Sequence, residues 1–248
     1  QARAWKVDRV RAALARRALG AAVTLGHESP LASRRRLRLA VARRRGGVQL
    51  GFRARRAHDV VDIAVCPIAE PALVALLDPL RAVVAVLESP VEAIELTAYA
   101  AGVEVVLAGA GAPTLADRER LAAWGVEVDA ARLGWRAGDA AAEPLSVRRE
   151  PCLAWNGLTV APPLGAFLQA TGPAEAHLQG AVARGLEGAR RVVDLYAGIG
   201  TFTAAAVAVG AQVRAVEREP AAVAALRAAG IDARSEEHTS ELQSHAPI

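Results

Sequence analysis

Hydrophobic and polar positions alternate with different periods along the chain, and these periods predict its elements. Apolar residues at helical spacing predict a first helix over Ala4–Leu19. Alternation in Leu37-Arg38-Leu39, followed by Gly46-Gly47, predicts a β-hairpin, because glycine accepts the backbone angles of a tight turn. Downstream, the pattern predicts a strand at His58–Ala64, a helix at Pro71–Leu87, two strands around Ala101-Gly102, a helix at Thr114–Trp124 capped by Thr114 and Asp117, and irregular or sheet-edge chain over 126–147.

The last third of the chain has a different order of elements. Helices are expected at 174–186, 202–209 and 220–229, and apolar strands at 191–196 and 212–216. This βαβα order predicts a parallel sheet that is covered on both faces. Pro162-Pro163 marks the predicted domain boundary, because two prolines stop both a helix and a strand ladder. The predicted fold class is therefore α/β: an α+β central domain at 1–161 and the first part of a Rossmann-like domain at 162–233.

Composition limits the classes of function. The 248 residues are 53% hydrophobic, enough for one large or two modest domains, and no apolar run approaches the about 20 residues of a membrane span. Two cysteines are too few for a disulfide framework, which favours a reducing, cytoplasmic location.

Positive charge is concentrated in the predicted hairpin. Residues 34–56 hold ten arginines and no acid, a density that attracts RNA phosphates. Arg43, Arg44 and Arg45 are the candidate RNA contacts. The alternative is a solvated face in a chain whose arginine content is raised by GC-rich coding sequence.

Candidate chemistry lies in VVDLYAGIGTFTAAAVAVGAQVRAVERE, at 192–219. Gly198 and Gly200 follow a buried strand and open a helix, whose free N–H groups and lack of Cβ atoms allow a ligand to approach. Seventeen residues after Gly200, Glu217 ends the next strand, where a carboxylate can accept from ribose hydroxyls. Thr203 stands where a dinucleotide site would have a third glycine, and Asp194 lies within the first strand, so the pattern favours S-adenosylmethionine. The alternative is a glycine turn that only packs a strand tightly against a helix.

The segment PPLGAFLQATGPAEAHLQGAV, together with VVDLYAGIGTFT, resembles the bacterial RNA uracil-C5 methyltransferases, which make 5-methyluridine in ribosomal or transfer RNA. The resemblance is specific over 160–220 and continues more loosely back to Trp5-Lys6. It implies a class I methyltransferase domain, S-adenosyl-L-methionine as cofactor and RNA as substrate, with ribosomal RNA preferred and transfer RNA left open. The implied cofactor-binding residues are Gln169, Tyr196, Gly198, Gly200, Thr201 and Glu217. Thr201 and Ala197 depart from the family, which often has asparagine and cysteine there.

The resemblance also implies residues that this chain lacks. A cysteine nucleophile and a general base are expected beyond residue 233, so no catalytic residue is assigned within the chain. VVDIAVCPIAEP resembles the family segment that supplies the fourth cysteine of a 4Fe-4S cluster, which makes Cys66 a candidate ligand whose three partners would precede Trp5. For Cys66, the alternative is a small buried hydrophobe, and Cys152 is expected to be a buried strand residue and not a reactive thiol.

The stretch RSEEHTSELQSHAPI, at 234–248, differs from the rest in composition and matches the translation of a common sequencing adapter. We expect it to be disordered, and the chain to be an inactive, monomeric fragment of an RNA methyltransferase. The other functions left open are a methyltransferase for another nucleobase or a small molecule, and a non-catalytic RNA-binding module. A dehydrogenase is disfavoured by Thr203.

Overall fold

The computed structural model describes residues 2–57 and 59–235 of the protein. The helices are α1 (Ala2–Ala15), α2 (Pro71–Val74), α3 (Leu77–Val86), α4 (Leu115–Glu127), α5 (Gly172–Gly185), α6 (Thr201–Ala208) and α7 (Pro220–Ala228). The strands are β1 (Arg36–Arg44), β2 (Gly47–Arg53), β3 (Val60–Asp62), β4 (Ala93–Tyr99), β5 (Gly102–Gly109), β6 (Arg132–Ala137), β7 (Glu143–Val147), β8 (Leu153–Trp155), β9 (Leu158–Val160), β10 (Arg191–Leu195), β11 (Gln212–Glu217) and β12 (Asp232–Ser235). Among these described helices, none combines the length and the apolar character needed to cross a bilayer.

The first half of the chain forms a seven-stranded sheet with the order β3-β2-β1-β4-β5-β6-β7. Its neighbours are antiparallel except β5 and β6, which are parallel and joined through helix α4. The predicted hairpin is confirmed as β1 and β2, with Arg45 and Gly46 in its turn and Gly47, at φ +122°, as the first residue of β2 opposite Arg44. Leu39, Leu50 and Ile94 face α2, α3 and α4 in the main apolar core.

Three predictions for this half are corrected. The helix predicted at Pro71–Leu87 is two helices, because Pro79 has no N–H to donate to the carbonyl of Ala75. The region 126–147 contains an internal strand, β6, and only β7 lies at an edge. Trp5 and Val10 of α1 are exposed instead of anchoring that helix in a core. The strand predicted at His58–Ala64 is β3, and His58 lies outside the described residues, as do His238 and His245.

The second face of the seven-stranded sheet is charged and partly buried. Arg132 of β6 pairs with Glu104 of β5, and both side chains are almost fully buried. Burial raises the pKa of Glu104, and the charge of Arg132 opposes that effect. The segment after Pro162 crosses this face: Arg132 donates to the Pro162 carbonyl (2.9 Å), and the N–H of Gly165 donates to Glu104 (3.0 Å).

The last third of the chain forms a parallel sheet with the order β10-β11-β12. Its core contains residues of α6, α7, β11 and β12 together with Leu158 and Val160 of the β8–β9 hairpin. Asn156 and Gly157 form the turn of that hairpin, both with positive φ, and their Asn-Gly pair is a turn signal that the sequence analysis missed. The hairpin precedes Pro162 but packs in the second core, and the domain boundary at Pro162-Pro163 stays a prediction.

The parallel sheet departs from expectation in two further ways. Strand β12 was not predicted, and it includes Arg234 and Ser235, which were expected to begin the disordered tail; residues 236–248 lie outside the described part. Val193 and Leu195 of β10 are 61% and 62% exposed. The prediction that both faces of the parallel sheet are covered is therefore wrong for the described residues, because α6 and α7 both pack on the face opposite to Val193 and Leu195.

Asp117 joins helix α4 to the end of helix α3. Thr114 accepts the Asp117 N–H (3.1 Å), which confirms Thr114 as the helix cap. The Asp117 carboxylate does not complete the cap but accepts the N–H groups of Glu88 (3.0 Å) and Ser89 (2.7 Å). Burial alone would raise the pKa of Asp117, but these hydrogen bonds lower it to about 2.

We expect Asp117→Asn to destabilise the fold at neutral pH by about 1.5 to 3 kcal/mol, because it removes hydrogen bonds to a charged acceptor. An unfolded Asp titrates near about 3.9, above the folded value. The stabilisation is therefore present above about pH 4 and is lost as the pH falls towards 2. Urea denaturation across this range should give a smaller acid dependence for the variant. Parallel pH profiles for the two proteins would contradict the assignment.

Candidate cofactor-binding site

The glycine turn connects β10 to α6 with an unusual backbone. Tyr196, Gly198 and Gly200 all have positive φ, at +56°, +58° and +95°. The N–H of Ala197 donates to the Val216 carbonyl (3.1 Å), which holds the turn against strand β11. Such angles are readily accepted by glycine but strained for tyrosine, and strain of this kind is concentrated at functional sites.

The two glycines of the turn have different surroundings. A Cβ on Gly200 would lie 2.7 Å from Cδ2 of the fully buried Leu226, so a larger residue there would displace a core side chain of α7. A Cβ on Gly198 would meet no atom within 4 Å. Gly198 therefore has the open side from which a ligand can approach the backbone.

Glu217 holds the glycine turn from the end of β11. Its Oε2 accepts the N–H of Gly198 (2.7 Å), and its Oε1 accepts the N–H groups of Arg218 (2.7 Å) and Glu219 (2.9 Å). A carboxylate has about four lone-pair sites, so three backbone donors leave room for one further donor, such as a hydroxyl.

Asp194 lies beneath the turn and is tied to helix α6. Its Oδ2 accepts the hydroxyl of the fully buried Thr203 at 2.7 Å. Burial raises the pKa of Asp194, and the bond from Thr203 opposes that effect. Thr203 therefore has a structural role. The sequence pattern indicated only that Thr203 stands where a dinucleotide site would have a third glycine.

The structure brings Gln169 close to the turn. Leu168 and Ile199 belong to one small apolar cluster, so Gln169 is adjacent in sequence to a residue of the cluster that includes Ile199 of the turn. Thr201 begins α6, and its carbonyl accepts from Gln179 (2.9 Å). Gln169, Gly198, Gly200, Thr201 and Glu217 thus lie around one end of the parallel sheet, and Tyr196 is 76% exposed beside them. Their contacts with a cofactor stay predictions.

The candidate RNA arginines differ in availability. The Arg43 guanidinium donates to the carbonyls of Val84 and Leu87, both at 2.7 Å, and so holds β1 against α3. Arg44 lies 3.8 Å from Asp59, and Arg45 is exposed at the hairpin turn. The density of arginines along the sequence could not separate Arg43 from Arg44 and Arg45, because the direction of each side chain depends on the register of strand β1.

Cys66 is half-buried and packs against the main core. Cys152 is exposed and lies just before strand β8, so the prediction of a buried strand residue is wrong. Both are free thiols. Within residues 2–57 and 59–235, no group of three or more potential ligands is placed to hold a metal ion. A 4Fe-4S cluster needs about four ligands, so the two cysteines of this chain do not fit it by themselves. Cys66 as its fourth ligand stays a prediction.

Comparison with known proteins finds relatives that are all named as RNA methyltransferases. A protein named as an uncharacterized RNA methyltransferase from Brucella suis is 36% identical over 226 residues, which cover 90% of this chain and 53% of the relative. One from Caulobacter vibrioides is 37% identical over 237 residues, 92% of this chain and 55% of the relative. A 23S rRNA (uracil-C5)-methyltransferase from Aeromonas hydrophila is 34% identical over 206 residues, 81% and 46%.

The chain is homologous to bacterial RNA methyltransferases. The predicted resemblance is confirmed, although the chain spans only about half the length of these relatives. No protein-family model matches it.

A solved structure confirms the methyltransferase fold. The Pyrococcus abyssi tRNA (uracil-54, C5)-methyltransferase, in complex with S-adenosyl-L-homocysteine, aligns with a TM-score of 0.70 over 94% of this chain and 62% of that one. The identity is 18%, so the similarity is one of fold.

We expect Gly200→Ala to destabilise this methyltransferase homologue more than Gly198→Ala does, by about 1 kcal/mol or more. Both substitutions force alanine into a positive φ, but only Gly200→Ala also displaces buried Leu226. Chemical denaturation of the two variants measures the difference. Equal losses would show that the packing against α7 does not select glycine at residue 200.

Proposed function

We propose that this chain is the donor-binding part of an S-adenosylmethionine-dependent RNA methyltransferase that methylates C5 of a uridine. The observation that carries the proposal is the bond between Glu217 and Gly198, next to the open side of Gly198. It fixes the carboxylate of Glu217 beside the part of the turn that is open to an approaching ligand. The homology to RNA methyltransferases supports RNA as the substrate.

Each residue around the turn has a proposed binding role. Glu217 would accept a ribose hydroxyl with its remaining lone pair, Gly198 would let the donor approach the backbone, and exposed Tyr196 would cover one side of the donor. Thr201 and Gln169 would border the remaining sides. The bound S-adenosylmethionine would supply an electrophilic methyl group, while this chain's residues bind and orient it. Uracil-C5 methylation also needs a nucleophilic cysteine and a base, and we propose none of the described residues for either role.

The finer assignments are also proposals. Ribosomal RNA as the substrate is supported by the 23S rRNA methyltransferase relatives from two Aeromonas species. A cytoplasmic location is supported by the two free thiols. The monomeric state that was predicted from the sequence remains a proposal. The proposed units are a central domain at 1–161 and the start of the methyltransferase domain at 162–233. Cys66 is proposed as one ligand of a 4Fe-4S cluster, whose other ligands the described residues do not supply.

The first test is donor binding. Calorimetry should show saturable binding of S-adenosylhomocysteine and none of NADH. Glu217→Gln should weaken binding by about tenfold or more, equivalent to about 1.4 kcal/mol, because an amide keeps only one acceptor oxygen. Glu219→Gln, a change at a nearby exposed acid, is the matched control and should bind as the original does. Binding of NADH in place of S-adenosylhomocysteine would refute the proposal.

The second test concerns RNA. Arg44→Gln combined with Arg45→Gln should lower the salt dependence of binding to a uridine-containing stem-loop RNA by about one to two units of slope, since two phosphate contacts are lost. Arg43→Gln should instead lower the melting temperature, because it removes two hydrogen bonds to α3 and the chain that follows it. An unchanged slope in the double variant would remove these arginines from the RNA surface.

A further inference from the structure

A buried carboxylate outside the glycine turn connects four parts of the chain. Glu175, in the first turn of α5, has a side chain only 4% exposed. Its Oε1 accepts from Arg35 at 2.8 Å and lies 3.5 Å from the hydroxyl of Thr201. Its Oε2 accepts the indole N–H of Trp155 at 2.9 Å. The segment before β1, the β8–β9 hairpin and helices α5 and α6 therefore meet at the carboxylate of Glu175.

Arg35 extends the connection to Gln169. Its Nε donates to the Gln169 carbonyl (3.0 Å), and its backbone N–H donates to the Ala170 carbonyl (2.9 Å). Its own carbonyl accepts the N–H of Ala98 in β4 (2.8 Å). Arg35 is thus fixed to the seven-stranded sheet on one side and to the Gln169 segment on the other.

Helix α5 makes a second connection to the glycine turn. Gln179 lies one helical turn after Glu175, on the same face, and its side chain is buried. Its amide donates to the Thr201 carbonyl at 2.9 Å. The position of Glu175 therefore affects the start of α6, immediately after Gly200.

We propose that Arg35 and Glu175 are a positioning pair that sets the separation between Gln169 and the glycine turn. The inference rests on the proposed function, because Gln169 and the turn are the two sides of the proposed donor site. The pair does not contact the donor; it acts through the Gln169 carbonyl and the start of α6. A buried ion pair is suited to this role, because loss of either partner leaves an uncompensated charge that displaces its surroundings.

The main test compares two buried acids. Glu175→Gln should weaken S-adenosylhomocysteine binding to the full chain by about tenfold or more, since small displacements of binding groups have large effects. Asp117→Asn also loses a fully buried carboxylate, but in α4, and should lower the melting temperature without changing the affinity. Unchanged affinity in Glu175→Gln would overturn the proposal.

A second variant separates positioning from charge pairing. In Arg35→Lys the ammonium can still pair with Glu175, but it lacks the planar fork that also reaches the Gln169 carbonyl. We expect weaker S-adenosylhomocysteine binding with little change in melting temperature. Full affinity in Arg35→Lys would show that the bridge to Gln169 has no role.

A third measurement does not need the donor. In Glu175→Gln, amide hydrogen exchange at Gly200 and Ala204 should be faster by about tenfold or more, whereas Asp117→Asn at matched global stability should leave it unchanged. If the original chain binds no S-adenosylhomocysteine, the proposed function fails, and this exchange result still decides the positioning role. Unchanged exchange at the turn would overturn it. If Glu175→Gln does not fold, Arg35→Lys serves for both measurements.

Discussion

Elements packed against both sheets meet at the almost fully buried carboxylate of Glu175. Removing an ion from water costs several kcal/mol, and that cost is offset only if its lone pairs are filled in good geometry. Arg35 and Trp155 fill them from separate elements, with Thr201 nearby. The apolar cluster at the same junction is small, with four buried members. The junction is therefore specified mainly by directional bonds, which allow far fewer arrangements than apolar contact does.

The chain also crosses between the two units near this junction. The β8–β9 hairpin precedes Pro162 yet packs beside Leu226 in the second core, whereas the segment after Pro162 lies on the charged face of the first sheet. Each unit thus includes a segment that is adjacent in sequence to the other unit. In consequence, Gln169 is placed by the seven-stranded sheet and the glycine turn by the parallel sheet. A ligand that contacts both would be sensitive to how the units are joined.

Local patterns predicted much of this molecule, and long-range contacts account for what they missed. The β1–β2 hairpin, the glycine turn and the flanking helices were predicted because turn residues and period act over a few residues. Strand β6 was not, because Arg132 carries a charge that sequence reasoning places in water, whereas Glu104 of a neighbouring strand allows its burial. Glu175 was missed for a related reason, since an acid in the first turn of a helix is ordinarily explained by the helix dipole.

The glycine turn shows what the cofactor-site prediction missed, namely the contacts that the predicted residues make with the protein itself. Tyr196, Gly198 and Gly200 all have positive φ, and a strained backbone persists only where its surroundings hold it. Here Glu217 binds the N–H of Gly198, Leu226 packs beside Gly200, and Asp194 binds Thr203 below. Residues that the motif assigns to a ligand are thus already engaged with the protein itself. The turn is shaped before any ligand arrives, so binding need not supply the free energy of ordering it.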